Sequence, residues 1–334
     1  MNAFKTRALV AVTAAALALV SACGNDSATS AGDSGTATLK IGLFGALSDA
    51  GLILAKENGY FTEQNIDVSF TPSQSAPTII GLVASGQLDA AGTAPTPGLF
   101  NALGSNVSLK IAADKGRIDP THSWTGLVVH SDGPTSVAEL RGKKIALPDI
   151  NTSTGAELDM ALQGAGLSTK DVDLVSGSAA DNYSAFVGGA VDAAALQEPF
   201  IAQAIATGNA KVLVPFGQVL PNGQNGIMLF GERLSKNTAL AKRFVTAYLK
   251  GVADYNAAFP TDGSAVVGRD KVVAALVANT AVKKPEVYEA MQPTLFDPTG
   301  AVDTASIDEM QKFFVSIGSQ QKVIPSSDYL MAVN

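Results

Sequence analysis

The residues with the chemistry to hold a small molecule are mostly short polar side chains, placed where apolar runs give way to helical ones. Gly45-Ala46-Leu47-Ser48-Asp49 follows one apolar run, Thr71-Pro72-Ser73-Gln74-Ser75 a second, and Thr93-Ala94-Pro95-Thr96 a third. Three later stretches match them: Asp149-Ile150-Asn151-Thr152-Ser153-Thr154, Ser176-Gly177-Ser178 and Leu196-Gln197-Glu198-Pro199. Hydroxyls, amides and backbone N–H groups at helix starts offer donors at the positive end of a helix dipole, which suits a carboxylate, a sulfonate or another small polar group. The same residue types also serve as ordinary N-caps, worth about 1 kcal/mol each in any protein. Binding gains weight because six such loops would converge on one crevice outside the carboxyl ends of parallel strands. Lys115 and Arg117, in AADKGR, are the nearest cations for an anionic ligand; the alternative for both is a solvated turn. Trp124, the only tryptophan, either packs near them or faces the ligand.

Catalytic residues are not in sight. His122 and His130 are the only histidines and Cys23 the only cysteine, so neither a cysteine–histidine dyad nor a zinc spacing can be assembled. Gly42 and Gly45 do not complete a dinucleotide fingerprint, and no phosphate-binding glycine loop or nucleophile elbow occurs. The expectation is a protein with no catalytic residues, no metal site and no cofactor.

The elements that must position these loops alternate. Residues 39–44, 66–70, 88–93 and 109–114 read as strands, with helices over 50–59 and 77–86, both closed by glycine. The rhythm returns with an extended run at 124–130, strands at 143–148, 172–176 and 191–196, and helices over 155–166 and up to Gly189. Strand–helix alternation of this kind predicts parallel strands joined by helical crossovers. The last third differs. It has a strand at 226–234, an amphipathic helix at 237–259 ended by Pro260, helical segments near 271–280, 285–291 and 304–317, and a short piece with Val323-Ile324.

Two passages lie on each other. At an offset of 103, Ser73, Ser75, Ala76, Gly86, Asp89, Ala90 and Ala91 meet Ser176, Ser178, Ala179, Gly189, Asp192, Ala193 and Ala194. At 104, Lys40-Ile41 meets Lys144-Ile145. A unit this long is no solenoid repeat; it fits two similar α/β lobes.

The N-terminus sets the compartment. Lys5 and Arg7 precede an uncharged run of 13 residues, 8–20, too short to span a bilayer and typical of a signal peptide. Val20-Ser21-Ala22-Cys23 resembles the lipobox of bacterial lipoproteins, in which the cysteine takes a diacylglycerol. Residues 24–37, GNDSATSAGDSGTA, hold no large apolar side chain and read as a tether. The whole chain has 334 residues, 46% hydrophobic and net charge −7, enough for two lobes and poorly suited to nucleic acid.

Three stretches carry a family resemblance: KENGYFTEQNIDVSF at 56–70, SVAELRGKKIALP at 136–148 and GGAVDAAALQEPF at 188–200. They resemble the solute-binding proteins of the aliphatic sulfonate, nitrate and taurine group, related to the thiamine-pyrimidine synthase-like family. The resemblance implies a two-lobed α/β periplasmic-binding-protein fold of type II, two similar lobes of parallel or mixed sheet joined by a two-crossing hinge. It implies ligand contacts from Gly45, Ala46, Leu47, Ser48, Ser73, Gln74, Ser75, Thr93, Ala94, Pro95, Lys115, Asn151, Thr152, Ser153, Thr154, Ser178, Gln197 and Glu198. Where the family often has an aromatic residue before Glu-Pro, this chain has Gln197. It also lacks the cysteine-rich motif of the synthases.

The expected organisation is a signal peptide at 1–22, a lipidated tether at 23–37, lobe 1 from 38–120 and 225–334, and lobe 2 from 121–224. The expected protein is a monomer held to the membrane through a lipid on Cys23. It would capture a small organic solute, expected to be anionic, such as a sulfonate, a nitrate-like ion or an aromatic carboxylate, for the permease and ATPase subunits of an ABC importer. An exported enzyme or a ligand-sensing lipoprotein on the same lobes are the alternatives.

Overall fold

The computed structural model describes residues 35–73, 75–105 and 107–333. The expected signal segment, Cys23, most of the tether and Gln74 lie outside the described residues. From residue 37 the chain forms β1 (Ala37–Leu43), α1 (Ala50–Glu57), α2 (Tyr60–Glu63), β2 (Ile66–Pro72), α3 (Ala76–Ala84), β3 (Ala90–Thr93), α4 (Pro97–Leu103) and β4 (Lys110–Asp114). It then crosses into β5 (Thr125–His130), β6 (Lys144–Leu147), α5 (Ser153–Gly164), β7 (Asp173–Ser176), α6 (Ala179–Val187), β8 (Ala193–Gln197), α7 (Phe200–Ile205) and β9 (Ala210–Pro215). A second crossing leads to β10 (Ile227–Phe230), α8 (Glu232–Lys236), α9 (Thr238–Ala258), α10 (Arg269–Asn279), α11 (Pro285–Ala290), α12 (Thr304–Ser316) and α13 (Ser326–Tyr329).

The strands make two five-stranded sheets, ordered β2-β1-β3-β10-β4 and β7-β6-β8-β5-β9. Each has a parallel core of three strands. In each, the strand by which the chain arrives from the other sheet inserts antiparallel next to the third strand: β10 beside β3, and β5 beside β8. The sheets are therefore mixed, as two similar lobes of parallel or mixed sheet would have them, with the antiparallel strand being the one that returns from the other sheet. The internal match in the sequence is reproduced in register. Ile41 pairs with Ala90, and Ile145, 104 residues on, pairs with Ala193. Asp89 accepts the Lys40 N–H at 2.8 Å, and Asp192 accepts the Lys144 N–H at the same distance. Gly86 and Gly189 end their helices at φ 75° and 72°, the left-handed conformation that glycine adopts without strain.

Period-two burial explains the layers. In β10, Met228 and Phe230 join Leu39 and Ile41 against α1 and α9. Ile227 and Leu229 join Ala91 and Ile111 against α3, α4 and α12. The second sheet packs Leu127, Ile145 and Ala193 on α5, and Val128, Ala146 and Ala194 on α6 and α7. Helices α1 and α9 touch backbone to backbone, because a Cβ at Gly251 would stand 2.1 Å from the Gly51 carbonyl oxygen.

Three sequence expectations need correction. The strand read over 226–234 stops at Phe230, and Glu232 opens α8. All four residues of β10 are buried between two neighbours, a setting in which Glu232 and Arg233 could not follow. The helix read to Gly59 ends at Glu57, and Gly59 at φ 76° turns the chain into α2. At the C-terminus the short element is α13, after which Met331 donates its N–H to the Ile111 carbonyl along β4. Neither α7 nor β9 is anticipated by the sequence pattern.

Candidate functional site

In each sheet the carboxyl ends of the parallel strands carry the loops singled out above, and several of these loops serve first as caps. Ser75 caps α3 through the Thr78 N–H, Thr96 caps α4 through Leu99, Thr152 caps α5 through Gly155, and Ser178 caps α6 through Asp181. Ser73 accepts the Ser75 N–H at 3.4 Å. These bonds fix where each helix starts, and Ser73, Ser75 and Ser178 line neither of the two cavities described below.

The first loop is tied down by charge. Gly45, at φ 79°, donates its N–H to Asp49 Oδ2 at 2.7 Å. The other carboxylate oxygen of Asp49 meets Lys115 Nζ at 2.7 Å, and Ser48 Oγ lies 2.8 Å from the same ammonium. Lys115 is 1% exposed and Asp49 fully buried. Its stem runs over Gly92, where a Cβ would stand 2.6 Å from Lys115 carbons. The cation expected to meet an anionic ligand is thus already matched by Asp49. Arg117 pairs with Asp297 at 2.9 Å, part-exposed on both sides. Trp124 packs between the crossings, with its indole N–H on the Arg117 carbonyl at 3.0 Å.

The crossings form a hydrogen-bonded ribbon. Lys115 N–H reaches the Gly226 carbonyl at 3.0 Å, Asn225 and Gly226 both reach the Gly116 carbonyl, and Ile118 reaches Gly223. Gln224 bridges Asp114, Gly116 and Gly226 through its amide nitrogen. Burial raises Asp114 to about 6 against these bonds.

From the second sheet, Glu198 sends one oxygen to the Ala202 N–H at 2.9 Å and the other to the Gln292 N–H at 3.0 Å, so the loop after β8 reaches the segment after α11. Burial raises Glu198 to about 7. Gly45, Ala46, Leu47, Gln197 and Glu198 share one crevice with Thr280, Val282 and Tyr288. Loops foreseen on both sheets therefore meet there. Beside it, Glu198 also borders a cavity of about 370 Å³ with Thr125, Ser123, Ile201, Ile205, Val212 and Gln292.

Sequence reasoning missed one group. Glu157, on α5, is fully buried; its Oε1 accepts from the Asn225 amide at 2.6 Å and its Oε2 from the Thr125 hydroxyl at 3.3 Å. Burial pushes its carboxyl up to about 8. The signal available was a glutamate inside the first two turns of a helix otherwise packed through Ala156, Leu158, Ala161 and Leu162. Among the described residues, four buried oxygens in this region have no hydrogen-bond partner: Thr93 Oγ1, Asn151 Oδ1, Asn225 Oδ1 and Thr294 Oγ1. Thr93 and Asn151 belong to the foreseen loops. Ala94, Pro95, Ser153 and Thr154 flank them, with Ser153 and Thr154 buried at the start of α5. Acceptors left open inside a protein cost free energy unless something supplies donors.

Neither histidine joins these groups. His130 stacks on Phe186 with centroids 4.4 Å apart, at the opposite end of β5 from Thr125, and His122, part-buried between the cavity residues Thr121 and Ser123, lies 3.5 Å from Asp119 with its Nδ1 2.9 Å from Thr121 Oγ1.

Comparison with known proteins gives three kinds of match. A family model described as NMT1/THI5 like matches residues 48–261. A protein of Brucella abortus (strain 2308) named as a binding protein is 23% identical over 290 residues, spanning 84% of this chain and 85% of that one. Among solved structures, the periplasmic aliphatic sulphonate binding protein SsuA from Escherichia coli superposes with a TM-score of 0.70 at 21% identity, covering 88% of this chain and 92% of that one. The desulfurization enzyme DSZB also shares the fold, with a TM-score of 0.63 at 16% identity, covering 89% and 96%.

Proposed function

The chain belongs to the NMT1/THI5-like family, and on that premise we propose that it is an extracytoplasmic solute-binding protein, which holds a small organic solute between two lobes and delivers it to the permease and ATPase subunits of an ABC importer. One observation carries the reading. Two sheets of the same strand order turn strand-end loops toward each other, and Gly45–Leu47 of one share a crevice with Gln197–Glu198 of the other. The lobes of this reading are residues 38–120 with 225–334, and 121–224, hinged on the ribbon of crossings. A solute that binds the closed arrangement better than the open one shifts their equilibrium by its differential affinity.

Because an enzyme shares this fold, the fold does not decide between capture and turnover; the residues favour capture. Both histidines are already engaged, His130 on Phe186 and His122 with Asp119 and Thr121. The ligand loops of the proposal are those anticipated from sequence, joined by Thr280, Val282, Tyr288 and Gln292. A captured solute present at 100 times its Kd should stabilise the mature chain by about 2.7 kcal/mol, raising Tm by roughly five degrees at this size. It should be recovered chemically unchanged; a converted product would refute capture.

The lipid anchor is part of the proposal and rests on the Val20-Ser21-Ala22-Cys23 sequence. Cys23→Ser is expected to move the protein from the membrane fraction to the soluble one. A variant that stays membrane-bound would remove the anchor from the reading.

A further inference from the structure

A third segment of chain joins the two crossings at the hinge. Arg117, on the first crossing, exchanges backbone hydrogen bonds with Leu295 at 2.9 and 3.3 Å and also bridges to Gln224 on the second. Residues 291–303, between α11 and α12, follow the crossings as a strap. Thr294 donates its N–H to the Tyr255 hydroxyl at 3.1 Å, Asp297 to Asp114 Oδ2 at 2.8 Å and Asp303 to Gln224 Oε1 at 2.9 Å. These bonds anchor the strap to α9, to the end of β4 and to the second crossing. Its leading end reaches further. The Gln292 N–H donates to Glu198 Oε1 at 3.0 Å, and Glu198 follows β8 of the second sheet.

Glu198 thus spans the junction with one carboxyl group. Its second oxygen takes the Ala202 N–H in the first turn of α7 at 2.9 Å, and its own N–H meets the Trp124 carbonyl at 2.8 Å. With both oxygens occupied and 2% of its surface exposed, it has little left to offer a solute. The contact around it is apolar. Helix α7 packs on α11, and Phe200 and Ala202 belong to one buried cluster with Val282, Tyr288 and Met291. Apolar contact is non-directional, whereas a carboxyl held between N–H groups of opposite halves admits one arrangement. The crevice beside it keeps about 10 Å³ of free volume, room for about one water. A solute entering between Gly45–Leu47 and Gln197 therefore has to part this contact. Resting on the two-lobed capture reading, we propose that Glu198 is a positioning residue and not a solute contact: it clasps the strap to the loop after β8, which holds the halves shut and fixes Gln197 at the crevice.

The test is single-molecule energy transfer in the mature chain carrying Cys23→Ser, between dyes on Val187→Cys and Val267→Cys, two exposed positions on opposite halves. Glu198→Gln keeps the size of the side chain and sets an NH2 against one of the two N–H groups. At pH 8, the ratio of open to shut molecules should rise at least about tenfold, and amide exchange over residues 291–297 should quicken by the same factor. Gln292→Pro removes the donor on the other half and leaves the Ala202 bond in place. Met291 before it is already extended, at ψ 158°, as a following proline requires. This variant should open the halves to the same extent, and combining it with Glu198→Gln should open them little further. Should Glu198→Gln not fold, Gln292→Pro carries the test alone. An open-to-shut ratio unchanged in either folded variant, or quickened exchange confined to α7, would mean that Glu198 only caps that helix, and overturns the proposal. No solute enters these measurements, so a failed clasp leaves capture standing, to be judged by the solute's stabilisation and recovery.

Discussion

Replacing Lys115 with methionine is expected to destabilise the chain by about 3–5 kcal/mol, seen in urea unfolding and as a Tm lower by roughly five to nine degrees. The ammonium stands 2.7 Å from Asp49 Oδ1 and 2.8 Å from Ser48 Oγ, and neither charged side chain has meaningful access to water. Methionine fills the channel over Gly92 with similar volume, so the loss is of charge and not of packing. What remains is a buried carboxylate with no counter-ion. It cannot swing out, because its second oxygen holds the Gly45 N–H at 2.7 Å and with it the first strand-end loop. The double replacement Asp49→Asn with Lys115→Met should recover most of the loss, since no bare charge is left inside. A single variant within about 1 kcal/mol of the parent would mean that water reaches Asp49 and that the pair contributes little.

The same pair shows where sequence stops informing. Asp49 and Lys115 are each visible in the sequence, one in a strand-end loop and one as a candidate anion ligand. Their contact joins residues 66 apart, and no periodicity reports it. Taken alone, Lys115 points to an anionic cargo; with its partner it has no charge to spare. Local pattern does carry the strands of the parallel cores, because each is a short apolar run closed by a turn residue. The internal match carries more, down to the paired Asp89 and Asp192 bonds. β9 escapes because every residue in Ala210–Pro215 is only partly buried, so no alternation marks it. α7 escapes because six residues, Phe200–Ile205, are too few to separate helix from strand by period.

Loops at strand ends are legible for a general reason: in open α/β sheets that is where ligands sit. Glu157, Thr125 and Asn225 obey no such rule. One is in the body of a helix, one opens a strand and one lies on the second crossing, and they meet only because the crossings bring the two sheets together. Carboxyl groups gathered at the junction, and not in the loops, are therefore what tertiary structure adds to the sequence reading.

Those carboxyls give the second large effect: the empty protein is expected to lose stability as pH rises from about 4.5 to 8. Asp114, Glu198 and Glu157 are raised to about 6, 7 and 8, in each case chiefly by burial. A carboxyl whose folded pKa lies above its unfolded one binds its proton more tightly in the native state. Its contribution is complete below the unfolded pKa and is lost as pH climbs through the folded value. Every tenfold gain in proton affinity on folding corresponds to about 1.4 kcal/mol, so even after generous relaxation the three should remove several kcal/mol between pH 5 and 8. Asp119, Asp171, Asp192 and Asp297 are lowered, and act oppositely: their stabilisation is present above the unfolded carboxylate range and fades as pH falls through it, below this window. Stability should therefore peak near pH 5. Urea midpoints at pH 5, 6.5 and 8 measure it. Glu157→Gln, which cannot ionise, should be nearly neutral at pH 5 and more stable than the parent at pH 8. A midpoint that stays flat or climbs from pH 5 to 8 would show that these carboxyls ionise freely and that burial does not hold their protons.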